Sequence, residues 1–301
     1  MVLNGPTAID LHPTSLPPDS PYFGVPGALV NTRSMVFSTD GITQVGEFIN
    51  TAVLWTGTPG SMINLHPAGY LASAAVGTNG GQQAGWATTS ASNGGRRGVQ
   101  LTFNVKHAIL WRGSAANFTD LHVTTFDGTV ATSLNGVFQG GYGINASSGQ
   151  TQALLWAGSS ASVINLHPQA YTSSSVNAVW SNGTAVGTGT VVKSGKAIVS
   201  IDHAVLWLGS AKNFVDLNPA ASSMSRGLSL NGINQVGWAT INAHTHAMVW
   251  SGTAASAIDL NQFLPAGFTD AMAVAIDAAG NVLANALGSD GVWHPFVFMM
   301  Q

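Results

Sequence analysis

A short apolar segment ending in tryptophan recurs through the 301 residues. It stands as Ala52-Val53-Leu54-Trp55 and returns as Ala108 to Trp111, Ala153 to Trp156, Ala204 to Trp207 and Ala247 to Trp250, with an altered sixth copy at Pro295-Phe296-Val297-Phe298. Ten residues after each tryptophan comes a leucine preceded by Asn or Asp: Leu65, Leu121, Leu166, Leu217 and Leu260. Five identical spacings mark a structural repeat, and a repeat of this length points to blades or solenoid turns.

Two residues after each tryptophan is a glycine (Gly57, Gly113, Gly158, Gly209, Gly252), which suits a turn between antiparallel strands, here called C and D. A second hairpin signal lies upstream at Asp40-Gly41, Asn79-Gly80, Asn135-Gly136, Asn182-Gly183, Asn231-Gly232 and Ala279-Gly280, and it joins strands A and B. Four strands every 43 to 56 residues, rich in Gly and β-branched residues, fit a propeller blade rather than a helical repeat. The expected fold is all-β: a single six-bladed β-propeller over residues 1–301, with four antiparallel strands per blade. The blades fall at about 14–67, 68–122, 123–168, 169–219, 220–261, and 262–301 joined by 1–13. Ile9-Asp10-Leu11-His12-Pro13 repeats Ile63-Asn64-Leu65-His66-Pro67 with no strand C before it, whereas the sixth strand C has no strand D after it. Pairing the two closes the ring and removes an open edge.

Only 7% of residues are charged, against about 25% in ordinary soluble domains, and the net charge is -3. No long-range field recruits nucleic acid or an acidic membrane. No apolar run reaches the roughly 20 residues of a membrane helix, and residues 1–6 lack the basic and apolar regions of a signal peptide. An exported form would have lost its signal. The absence of cysteine excludes disulfides, thiol chemistry and cysteine-bound zinc.

The segments His203-Ala204-Val205-Leu206-Trp207, Val215-Asp216-Leu217 and Gly232-Ile233-Asn234-Gln235-Val236-Gly237 resemble the HAF family of extracellular bacterial repeats. The resemblance covers nearly the whole chain through short motifs. It implies an extracellular or cell-surface location and brings no activity with it. Thr51 and Gln152 stand where the family's leading histidine is expected.

The tryptophan-to-leucine distance never varies, so all the extra length falls in the B-to-C and D-to-A connections, on one face of the expected disk. Long loops on a rigid scaffold carry binding residues. Residues 87–106 contain Arg96, Arg97 and Lys106, and residues 188–202 contain Lys193 and Lys196. These cations suit an anionic or hydroxyl-rich ligand, or simply keep the loops solvated. Trp86, Tyr142 and Trp238 follow the strand B glycine where other blades have Glu47, Thr188 and Asn285, and they read either as a stacking platform or as packing between blades. Arg33, Arg226 and Asp270, on the innermost strands, either neutralise one another or hold a small polar ligand at the channel mouth.

One set of histidines opens strand C (His107, His203, His246, His294) and another follows the strand D leucine (His12, His66, His122, His167). The expected facing pairs are Thr51 with His66, His107 with His122, Gln152 with His167, His203 with Asn218, His246 with Asn261, and His294 with His12. Most pairs combine an imidazole with a neutral partner, which fits repeated structural hydrogen bonds rather than metal, and no cofactor is expected. The leading functional expectation is a non-catalytic, exported binding or surface-interaction module, with a glycan or small polar ligand at Arg33, Trp86, Arg96, Arg97, Tyr142, Arg226, Trp238 and Asp270. The alternative is a lyase or hydrolase acting at the channel mouth.

Overall fold

The computed structural model describes residues 9–13, 33–94, 100–194 and 198–299. The architecture is all-β, with six small antiparallel sheets and, among the described residues, no α-helix. The chain divides into two compact units, residues 1–122 and 123–301.

The first unit holds two sheets. One runs β1 (Ser34–Thr39), β2 (Gln44–Phe48), β3 (Thr51–Trp55) and β4 (Ile63–Asn64). The other runs β5 (Ala72–Asn79), β6 (Gln82–Gly94), β7 (Gln100–Ser114) and β8 (Asn117–Asp120). Leu54 and Leu65 of the first sheet pack with Ala75, Ile109 and Trp111 of the second.

The second unit holds four sheets. The third comprises β9 (Phe126–Asn135), β10 (Phe138–Asn145), β11 (Thr151–Trp156) and β12 (Ile164–Asn165). The fourth comprises β13 (Ser173–Val179), β14 (Thr184–Ser194), β15 (Ile198–Ser210) and β16 (Asn213–Asp216). The fifth comprises β17 (Met224–Leu230), β18 (Gln235–Ile241), β19 (His244–Trp250) and β20 (Ile258–Asp259). The sixth has three strands among the described residues: β21 (Phe268–Ile276), β22 (Val282–Gly288) and β23 (Trp293–Phe298). The first strand of each later sheet lies across the first three of its predecessor: β13 on β9, β10 and β11, β17 on β13, β14 and β15, and β21 on β17, β18 and β19.

All five repeated tryptophans are fully buried, as are the leucines ten residues on. Leu166 joins Leu155 and Trp207, and Leu217 joins Leu230 and Trp250, so each of these two leucines fills the seam between its own sheet and the next. Complete burial of each such side chain contributes about 2 kcal/mol. The invariant spacing therefore measures the distance from core tryptophan to seam leucine.

The strand B glycines have a different cause. The first strands of the six sheets carry a register shift near the middle, for example between Val36 and Ser38, Ala75 and Gly77, and Val176 and Ala178. Each bulge pushes a carbonyl toward the neighbouring strand. A Cβ at Gly46, Gly85, Gly141, Gly187 or Gly237 would overlap the carbonyl oxygen of Met35, Ala74, Val130, Ser175 or Arg226 respectively.

Two long connections expected as loops are mostly strand. β6 and β7 stay paired from Gln83 opposite Trp111 to Gly94 opposite Gln100, and β14 and β15 from Thr184 opposite Leu208 to Ser194 opposite Ile198. β5 ends opposite Thr88 and β13 opposite Thr190, so beyond those points each sheet narrows to a two-stranded ribbon. Runs such as Thr88-Thr89-Ser90-Ala91-Ser92 are polar enough to read as loop, yet Thr and Ser tolerate the pleat and the facing strand continues the ladder alongside them.

Candidate functional site

Polar side chains repeat at the seams as regularly as the leucines. Buried Ser73, Ser174 and Ser225 each accept the N–H of an alanine in the preceding sheet: Ala52 at 2.9 Å, Ala153 at 3.0 Å and Ala204 at 2.9 Å. The same hydroxyls meet His66 Nδ1 at 2.8 Å, His167 Nδ1 at 2.8 Å and the Asn218 carboxamide oxygen at 2.7 Å. Each serine thus bridges an alanine N–H of one sheet and the histidine or asparagine that follows the seam leucine. Burial lowers the His167 pKa, and burial together with neighbouring His107 lowers that of His122. Asn in place of His keeps the bond, so these histidines serve the seam.

Histidines opening strand C have another partner. His107, His203 and His246 each place Nδ1 2.7 Å from Oδ2 of Asp120, Asp216 and Asp259. The other carboxylate oxygen accepts the backbone N–H two residues on, at 2.8 Å, 2.8 Å and 2.9 Å. Where strand C opens with an uncharged residue, strand D has an amide: Thr51 accompanies Asn64, and Asn165 donates to the Gln152 carboxamide oxygen at 2.8 Å. Sequence reasoning noticed the Asn or Asp before each leucine without recognising it as the partner of the histidine.

The second sheet elaborates this pair. The Tyr70 hydroxyl donates to Asp120 Oδ2 at 2.9 Å, and burial followed by the Asp120 carboxylate raises the tyrosine pKa. His122 stacks on His107 with centroids 4.1 Å apart and planes 22° apart. Thr89 Oγ1 lies 3.4 Å from His107 Nε2. The expected facing of His107 and His122 is therefore present, but imidazole lone pairs lie in the ring plane, so near-parallel rings do not converge on one ion. Among the described residues no group of three His, Asp or Glu side chains has the arrangement of a metal site.

The remaining candidates fall into separate clusters. Lys106 Nζ sits 4.0 Å from the Trp86 ring centroid, a cation–π contact at the base of the first ribbon. Arg226 donates through Nε to Asp202 Oδ2 at 2.7 Å and also through Nη2, while its guanidinium carbon lies 5.7 Å from the Trp238 ring. Thr190 donates to the other Asp202 oxygen at 2.8 Å. Asp270 instead takes the Thr245 N–H at 2.7 Å and His244 Nδ1 at 3.2 Å. Burial raises its pKa, but these bonds outweigh that effect and leave it lowered. Arg33 reaches Glu47 at 3.7 Å with most of its side chain in water. The neutralisation of an arginine by Asp270 is thus replaced by three local pairs. Tyr142 is half-buried on β10, opposite Val130 and Ala153, and burial raises its pKa. Arg96, Arg97 and Lys196 lie outside the described residues.

The geometry defines an all-β repeat protein of small antiparallel sheets with polar seams and two projecting ribbons. Neither the models of known protein families nor the curated proteins give a match to the chain.

Proposed function

We propose that the six sheets are blades of one propeller, closed by residues 9–13, and that the protein is an exported surface-binding module for carbohydrate. Closure draws support from the first unit alone. Leu11 packs on Phe48, Val53 and Trp55, as Leu65 packs on Ile109 and Trp111 one sheet later. Asp10 accepts the His12 N–H at 2.9 Å and His12 Nδ1 meets Ser34 at 2.9 Å, reproducing Asn64, His66 and Ser73. Segment 9–13 thus sits against the first sheet as the end of a preceding blade would. Asp10 also matches the repeat, in which an Asp on strand D accompanies a His opening strand C, although His294 Nε2 already meets Asp290 Oδ2 at 3.0 Å.

The observation that carries the binding reading is the pair of ribbons extending the second and fourth sheets at the same end of the blade. Residues 82–114 contain Arg96, Arg97, Lys106 and Arg112 and no acidic residue, in a chain whose net charge is -3. Trp86 beneath Lys106 joins an aromatic face to a cation, a combination suited to an acidic or hydroxyl-rich sugar. The resemblance to HAF repeats supports a location outside the cell for such a module. In a glycan array with the full chain, Trp86→Ala and the double change of Arg96 and Arg97 to Gln should each lower binding at least about tenfold, with circular dichroism unchanged. Binding that ignores both changes, or no glycan bound by the native chain, contradicts the reading.

A further inference from the structure

The three His–Asp pairs share one geometry, and a tyrosine hydroxyl on the carboxylate recurs, Tyr70 on Asp120 and Tyr171 on Asp216, but the second sheet also sets a threonine hydroxyl, Thr89, beside Nε2 of the histidine. Thr89 lies two residues beyond Ala87, the cross-strand partner of His107. The corresponding positions beyond the partners of His203 and His246 are Val191 and Ile241, which are aliphatic. Seam packing therefore needs no hydroxyl there.

Asp120 orients the histidine: its Oδ2 accepts the Nδ1–H at 2.7 Å, and in the neutral ring that tautomer leaves Nε2 to accept from the Thr89 hydroxyl, 3.4 Å away. Asp120 is itself fixed by the Tyr70 hydroxyl and the His122 N–H, and one face of the His107 ring is covered by His122. Hydroxyl, imidazole and carboxylate stand in the order of an activated nucleophile, its base and the group orienting that base. A resting hydroxyl contact near 3.4 Å is typical before substrate draws the pair together. The Asp120 side chain is 36% exposed and that of His107 19%, so the constellation is open to solvent. Beyond Thr88 no β5 residue pairs with the outer edge of β6, so no β5 strand covers that side of Thr89.

We propose that Thr89, His107 and Asp120 form an ester-hydrolysing site, with Thr89 as nucleophile. Thr89 Oγ1 bonds to the acyl carbon as its proton passes to His107 Nε2, and Asp120 stabilises the resulting imidazolium. That proton then moves to the alkoxide as the C–O bond breaks, leaving the acyl group on Thr89. Water adds to this second ester, giving a proton to Nε2, and the acid departs as the proton returns to Thr89. The net change is ester plus water to acid plus alcohol. This activity goes beyond the glycan reading and does not rest on it.

The test uses the full chain with p-nitrophenyl acetate, following turnover and mapping any acetyl group by peptide mass after rapid acid quench. The site predicts acetyl on Thr89, kcat/KM reduced by about 100-fold or more in Thr89→Val, and activity retained in Thr89→Ser. Valine already fills the equivalent place in the fourth sheet, so the melting temperature of Thr89→Val should match the native one. No turnover by the native chain, acetyl on another residue, or native turnover in Thr89→Val would overturn the proposal, the last because it leaves an imidazole acting alone. The mapping on native protein decides the matter even if the valine variant misfolds.

Discussion

Gly141, paired with Ala131, packs so closely on the adjoining backbone that a Cβ on residue 141 would overlap the Val130 carbonyl oxygen. The obstacle is backbone held by a bulge and a complete ladder, so neither side can give way without losing hydrogen bonds.

Gly141→Ala should therefore destabilise the protein by about 3 kcal/mol, measured by urea unfolding. A glycine at an exposed turn with open space around it, such as Gly149, provides the contrast. Its φ of 68° makes Gly149→Ala strained but free of any clash, so the cost there should be only about 1 kcal/mol. Equal costs at the two positions would show that the bulge is not what demands glycine in strand B.

Acid should weaken the seams before it protonates the carboxylates. Burial holds the pKa of His122 and His167 below the ordinary histidine value of 6.5. The unfolded chain then takes up protons first as pH falls, so the stability these rings contribute is intact above about pH 6.5 and is lost progressively below it. His167→Asn can retain the bond to Ser174, since Asn218 makes the same bond to Ser225. The variant should lose less melting temperature than the native chain between pH 7.5 and 5.5. Identical acid limbs would remove His167 from the account.

The sheets were legible in the sequence because their markers have single causes. Tryptophan and leucine fill fixed places in the seams, the Asn-Gly and Asp-Gly pairs make the hairpins, and Gly57 and its counterparts adopt a positive φ in the second turn. The ribbons were hidden because Thr, Ser and Gly serve strand and loop alike, and only a facing strand decides between them. The His–Asp pairs were obscured because Asn replaces Asp in some repeats. The usable signal was correlation, with Asp120, Asp216 and Asp259 accompanying His107, His203 and His246 while Asn64 and Asn165 accompany Thr51 and Gln152. Arg226 with Asp202 had no such signal, since the partners stand 24 residues apart on neighbouring sheets and the pair occurs once.

Completion of the sixth sheet by segment 9–13 is directly measurable because the chain has no native cysteine. Leu54 faces Ile63, Leu155 faces Ile164 and Val249 faces Ile258, so the proposed closure would set Ile9 opposite Val297 on β23. Directly opposed residues in adjacent strands stand about 5.5 Å apart at Cα, within reach of a disulfide. In the doubly substituted chain, Ile9→Cys with Val297→Cys, mild oxidation at low concentration should give one intramolecular disulfide in nearly every molecule and a higher melting temperature. Free thiols, disulfides only between molecules, or a bond that lowers the melting temperature would contradict closure of the ring.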